Sequence, residues 1–198
     1  MHTKHVILKI ALILFLFSST TVFSQMNFKI IPKVSLDVAG SHNISALGKS
    51  GSLSVNTGYT LAIEFLRPIG ERVDAGVGLM YLFSREQEVS GSGKFNFVTV
   101  YGAAVINLLE KTQNIMPSLV LNLGYNFIYT GDLYYTGGLA TRGGIYWGAG
   151  LRINYRKLIL EGLYKSFAGS VSPGMFSSDS NTLDVTYSTF SIGAGFIF

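Results

Sequence analysis

The sequence predicts an all-β chain folded as an eight-stranded antiparallel up-and-down transmembrane β-barrel. Three observations predict it. Only 13% of the 198 residues are charged while 48% are apolar, and mean hydropathy is +0.38, too little charge for an ordinary water-facing surface. From Phe28 onward, apolar residues recur at every second position in most of eight segments, which is the strand period. The connectors between those segments alternate between long and short. Beyond the first 25 residues no apolar run approaches the roughly 18 residues that a spanning helix needs, so the hydrophobicity is spread over strands.

Residues 1–24 carry a short basic start (His2, Lys4, His5, Lys9), an apolar stretch from Ile10 to Phe17, and a polar end at Val22-Phe23-Ser24. Small Ser24, with Val22 two residues before it, suits cleavage before Gln25. This segment is expected to be a secretory signal peptide, and 25–198 the barrel domain. The chain has no cysteine, which removes disulfide frameworks and thiolate chemistry. Of its 15 basic residues, two (Lys4 and Lys9) fall in the leader; the rest nearly balance 11 acidic ones, with no basic stripe for a nucleic acid.

The alternation is clearest in five segments. Tyr59, Leu61, Ile63 and Phe65, with Leu53 and Val55 before them, share one face, and Gly58, Thr60, Ala62 and Glu64 the other. Val73 to Phe83 repeats the pattern, with Asp74, Gly76 and Gly78 on the smaller face. In the third, Leu119 to Tyr129 oppose Asn122, Gly124 and Asn126; in the fourth, Ile145 to Tyr155 oppose Gly148, Gly150, Arg152 and Asn154. The last sets Phe190, Ile192, Ala194, Phe196 and Phe198 against Thr189, Ser191, Gly193 and Gly195. Phe28–Ala39, Phe95–Leu108 and Leu158–Phe167 complete eight strands, although both faces of Phe95–Leu108 are apolar and leave its register open.

Long Gly/Ser/Asn-rich connectors span Gly40–Gly51, Arg85–Lys94, Thr130–Thr141 and Gly169–Asn181. Short polar turns occupy Arg67–Arg72, Glu110–Asn114 and Arg156-Lys157. Transmembrane barrels have this asymmetry, and an even strand number closes the sheet without a free edge. A soluble lipocalin-like barrel would point its apolar face inward instead. Here the smaller face carries charges of both signs: Lys29, Lys33, Arg152 and Lys165 against Asp37, Glu64, Asp74 and Glu161. An ion-paired lumen tolerates four of each, whereas an unpaired buried charge costs several kcal/mol. Lys33, Asp37, Glu64, Arg152, Glu161 and Lys165 are therefore the expected lumen network. Glycines on the same face fit the narrow interior of eight strands, where side chains leave no open pore. Aromatics near strand ends, such as Tyr81/Phe83, Phe127/Tyr129 and Tyr155, suit interfacial girdles.

The final strand, Tyr187 to Phe198, ends on an aromatic with apolar residues at every second position. It resembles the C-terminal signature of Gram-negative outer-membrane β-barrel proteins, and the whole of 25–198 resembles the small eight-stranded OmpA/OmpX-type barrels. The resemblance implies a cell outer-membrane location and reading of Phe190, Ile192, Phe196 and Phe198 by the barrel-assembly machinery. It implies outer-membrane lipid and lipopolysaccharide as surroundings, and leaves any extracellular partner unnamed.

Barrels of this size include lipid A-modifying enzymes, whose chemistry wants a histidine paired with a serine and a carboxylate. Beyond the leader the one histidine is His42, beside Ser41 and Ser45 in the first long connector, where a solvated surface role is the plainer expectation. One histidine without cysteine gives a transition metal little to bind. The Gly-x-Gly pairs at 76/78, 148/150 and 193/195 sit inside strands with no helix following, so they are not phosphate cradles. No catalytic, cofactor or metal residues are expected. The expected function is a non-enzymatic barrel acting structurally or through four external loops, with a lipid A-modifying enzyme and a soluble periplasmic binding barrel as alternatives.

Overall fold

The computed structural model describes residues 28–46, 49–83, 95–109, 114–130, 140–172 and 183–198. The expected signal peptide and most of the last three long connectors lie outside those residues. The described strands are β1 (Lys29–Ala46), β2 (Lys49–Val55), β3 (Gly58–Pro68), β4 (Val73–Leu82), β5 (Phe95–Asn107), β6 (Ile115–Thr130), β7 (Ala140–Tyr155), β8 (Leu158–Ser172) and β9 (Leu183–Phe196).

These nine strands make eight staves. Only Asn56 and Thr57 separate β2 from β3, and both run along β1: Gly40 pairs with Val55, and Asp37 with Gly58. From β3 onward each strand pairs antiparallel with the next, and β9 returns to β1 from Lys33 opposite Gly195 to Ser45 opposite Asp184. The ring is closed. Closure pairs both edges of β1 and of β3 to β9, which hydrocarbon demands because it offers no water to an unpaired amide; the β2 extension pairs with β1 alone.

The first connector departs from expectation. Most of Gly40–Gly51 is not a loop: β1 continues to Ala46 and β2 begins at Lys49, pairing from Ser41 with Ser54 to Ala46 with Lys49. Its Gly, Ser and Asn residues carry no hydrophobic period, and pairing to β2 and β9 supplies the order instead. Val55 also leaves the face assigned to it. It is 7% exposed while Tyr59 is 60% exposed, because the break at Asn56-Thr57 resets the phase between β2 and β3. A second reset, a bulge between Asp37 and Ala39 in β1, changes its register against β9 at the same height.

Elsewhere the two faces separate cleanly. Leu61, Val77, Leu79, Leu121, Leu123, Ile145, Leu160 and Ile192 point outward and are exposed, an apolar outer surface of the kind that faces lipid in a transmembrane barrel. β5 acquires its register: Phe97, Thr99, Tyr101, Ala103, Val105 and Asn107 are buried inward, while Val100 and Gly102 face out. Outward aromatics gather towards strand ends, with Tyr81 and Phe83 4.8 Å apart edge to face, and Phe196 and Phe198 5.0 Å apart at the opposite end.

The β7–β8 turn is tight, with Tyr155 paired to Leu158 and Arg156 at a left-handed φ of 55°. A side chain there is strained where glycine is not. Arg156→Gly is expected to stabilise the folded barrel by about 1 kcal/mol, read as a higher urea midpoint in detergent.

Candidate functional site

The lumen is layered. Near the turn end, Ile31, Leu66, Val105, Val120 and Ile159 are fully buried and form an apolar floor. Beside it, the Lys29 ammonium lies 2.7 Å from Asp74, and the Ser118 hydroxyl donates to Asn107 at 2.9 Å.

Above the floor four charges form a closed ring. Lys33 of β1 donates to Glu64 of β3 at 2.5 Å and to Glu161 of β8 at 2.8 Å. Arg152 of β7 donates to Glu64 at 2.8 Å and contacts Glu161 through both Nε and a terminal nitrogen, the Nε bond being 2.7 Å. Each cation thus meets both carboxylates, and the group sums to zero charge. Counting staves around the ring, β3 and β7 stand opposite each other, so the Glu64–Arg152 bond spans the lumen diameter. All four side chains are buried.

The strand pattern explains their meeting. Glu64 and Arg152 sit on the inward parity of β3 and β7, and in-register pairing sets Arg152 directly beside Glu161 on β8. Tyr101 of β5 joins from the far wall, its hydroxyl donating to Glu64 at 3.1 Å. One layer higher, Lys165 lies 2.8 Å from Asp37, whose carboxylate also accepts from the Thr60 hydroxyl at 2.6 Å. The six residues expected to form one network therefore fall into a ring of four and a neighbouring pair.

An aromatic layer closes the upper lumen. Phe97, Phe167 and Tyr187 stack with centroids 5.3 to 5.8 Å apart, and Tyr146 sits 4.9 Å from Phe167 and 5.6 Å from Tyr101. Neither Tyr101 nor this layer was read from the sequence. Thr99 and Asn107, polar residues on the Tyr101 parity, are the signal that could have placed Tyr101 inside. Beside the layer, the Asn126 amide donates to the Gly144 and Ala168 carbonyls at 3.1 and 2.8 Å, bracing the bulge between Gly143 and Tyr146.

The remaining expected residues fall elsewhere. His42 lies within β1 opposite Tyr187 in the backbone register, not in a loop. Phe190, Ile192, Phe196 and Phe198 form an outward exposed row on and just beyond β9. Among the described residues, no three His, Cys, Asp or Glu side chains are grouped to hold a metal ion. Chemically, the ring residues bond to one another: each carboxylate meets both cations and each cation both carboxylates.

No family model and no curated relative matches the chain. Solved structures do: OprG of Pseudomonas aeruginosa, an outer membrane protein, aligns over 87% of this chain and 96% of its own with a TM-score of 0.57 at 14% identity. The fold is that of the small outer-membrane β-barrels. AlkL, an outer membrane protein determined in lipid bilayers, aligns over 86% of this chain and 90% of its own with a TM-score of 0.55 at 10% identity. Neisserial surface protein A aligns over 87% and 97%, with a TM-score of 0.50 at 14% identity. The inverted polarity, apolar outside and charged within, makes this a membrane barrel rather than the soluble alternative.

Proposed function

We propose that the protein resides in the outer membrane of a Gram-negative cell as a non-conducting, non-enzymatic barrel that works through its surface and external loops. The observation that carries this reading is the filled lumen: an apolar floor, a neutral ring of four charges and an aromatic layer lie in series. A solute would have to break Glu64–Arg152 and unstack Phe97 from Tyr187 to pass. What remains available to a partner is the outer rim and the connectors, including Asp132-Leu133-Tyr134-Tyr135 and Pro173-Gly174-Met175-Phe176, which lie outside the described residues. Tyrosine and phenylalanine in such connectors suit recognition. Delivery would follow secretion across the inner membrane and insertion by the barrel-assembly machinery, with lipopolysaccharide as outer-leaflet surroundings and no nucleic-acid partner.

In planar bilayers the folded protein is expected to give no discrete conductance steps, while its gel mobility shifts on boiling as a folded barrel's does. Regular open-channel steps from heat-shifting protein would overturn the closed-lumen reading and leave the membrane barrel standing.

A further inference from the structure

We propose that the turn end of β7–β8–β9–β1 is a binding site for one anionic phospholipid, its phosphate on Arg156 and Lys157 and an acyl chain in the furrow beside them. This rests on the membrane reading above and adds a specific ligand to it.

The furrow comes from one small residue. In the outward row that runs from Ile153 through Leu160 to Val34, in-register pairing places Ala194 between two large side chains. A shallow hollow of about 420 Å³ lies against Ile153, Tyr155, Leu158, Leu160 and Ala194, and an almost flat, mostly apolar surface continues from it over Ala194 to Pro32, Val34, Leu61 and Phe196. The exposed side chains along this surface, Ile153, Leu158, Leu160, Val34 and Leu61, are apolar, so it takes hydrocarbon.

Two cations stand at the mouth. Arg156 and Lys157 directly follow Tyr155 and precede Leu158, both of which line the hollow. The Arg156 guanidinium carbon sits 5.6 Å from the Tyr155 ring centroid and the Lys157 ammonium 5.9 Å from that of Phe196, so aromatic rims hold both charges near the interface. Both are exposed, and neither is ion-paired among the described residues. The acidic side chains Asp37, Glu64, Asp74 and Glu161 are buried in the lumen and committed to Lys165, Lys33, Arg152 and Lys29. Among the described side chains across the turn end, Arg67 and Arg72 are exposed beside one exposed carboxylate, Glu71, so their field is also positive. Two free cations beside a hydrocarbon furrow match a net negative headgroup and give a zwitterionic one no advantage.

The test is native mass spectrometry of the full folded protein, released from detergent with phosphatidylglycerol or phosphatidylcholine of identical acyl chains. Preferential retention of one phosphatidylglycerol is expected. Each cation near a membrane surface contributes roughly a 5-fold preference, so R156S/K157S should lower that retention by up to about 25-fold. Ala194→Leu, which fills the furrow, should lower retention of both lipids. Equal retention of the two lipids by the wild-type protein would overturn the proposal, as would R156S/K157S protein that keeps its preference. Heat-shifted mobility in each sample separates failure of the site from failure of the barrel.

Discussion

Arg152→Leu is expected to destabilise the barrel by about 3 to 5 kcal/mol, measured by urea unfolding in detergent micelles with tryptophan emission from Trp147. The loss has a definite source. Removing the guanidinium leaves Glu64 and Glu161 sharing one cation, Lys33, so the lumen centre acquires a net negative charge with little water to solvate it. It also severs the contact that reaches from β3 to the opposite wall. The double variant R152L/E161L removes one charge of each sign and leaves Lys33 and Glu64 as a neutral pair 2.5 Å apart. It should therefore be more stable than Arg152→Leu alone, because apolar replacement of a whole pair is close to neutral while orphaning one partner is not. Equal destabilisation by the single and double variants would show that lost packing, not stranded charge, sets the cost.

The residues of this ring were legible in the sequence, and the reason is the membrane. In a water-soluble domain a charge on a strand face is unremarkable. In a chain this poor in charge, Glu64, Arg152, Glu161 and Lys33 stand out on the polar parity of segments whose other parity is apolar. Parity fixes the face, and a closed ring of eight staves makes the faces converge. The pairing itself was not legible: that Arg152 contacts Glu64 as well as Glu161 depends on stave order and relative height, which the alternation does not encode. Where a segment lacks alternation, its residues do not show which face they take. Phe95–Leu108 is apolar on both sides because its inner face meets the aromatic layer and apolar floor while its outer face meets lipid. Gly40–Gly51 carries no hydrophobic period, so its pairing into a hairpin is invisible to a rule that reads alternation. The Asp37/Ala39 bulge and the Asn56-Thr57 break each shift the phase of a strand by local geometry, invisible to a rule that counts every second residue.

Gly78→Val is expected to be the other costly single change, at about 3 to 5 kcal/mol by the same unfolding measurement, combining overpacking with a lost hydrogen bond to a charged acceptor. Gly78 pairs with Glu64 on one side and Tyr101 on the other, so the Tyr101 ring must lie across Gly78 for its hydroxyl to reach Glu64. A β-carbon at position 78 would fall 2.3 Å from that ring, closer than carbon atoms approach without a bond. On the other side of Tyr101, Gly124 leaves room for the tyrosine backbone: a β-carbon there would lie 2.6 Å from the Tyr101 α-carbon. The two glycines therefore form the seat for one tyrosine, and the tyrosine covers the glycine that would otherwise leave the lumen wall bare. Gly102 provides the contrast, since its nearest approach would be an ordinary 3.7 Å on the lipid side, and Gly102→Ala should cost little. The decisive comparison is in the Tyr101→Ala background. There the ring is gone, and adding Gly78→Val should cost far less than in the wild-type barrel because the valine occupies vacated space. An unchanged cost would mean that Gly78 serves the backbone of β4 rather than the ring, and Tyr101 would lose its place as the fifth member of the charged layer.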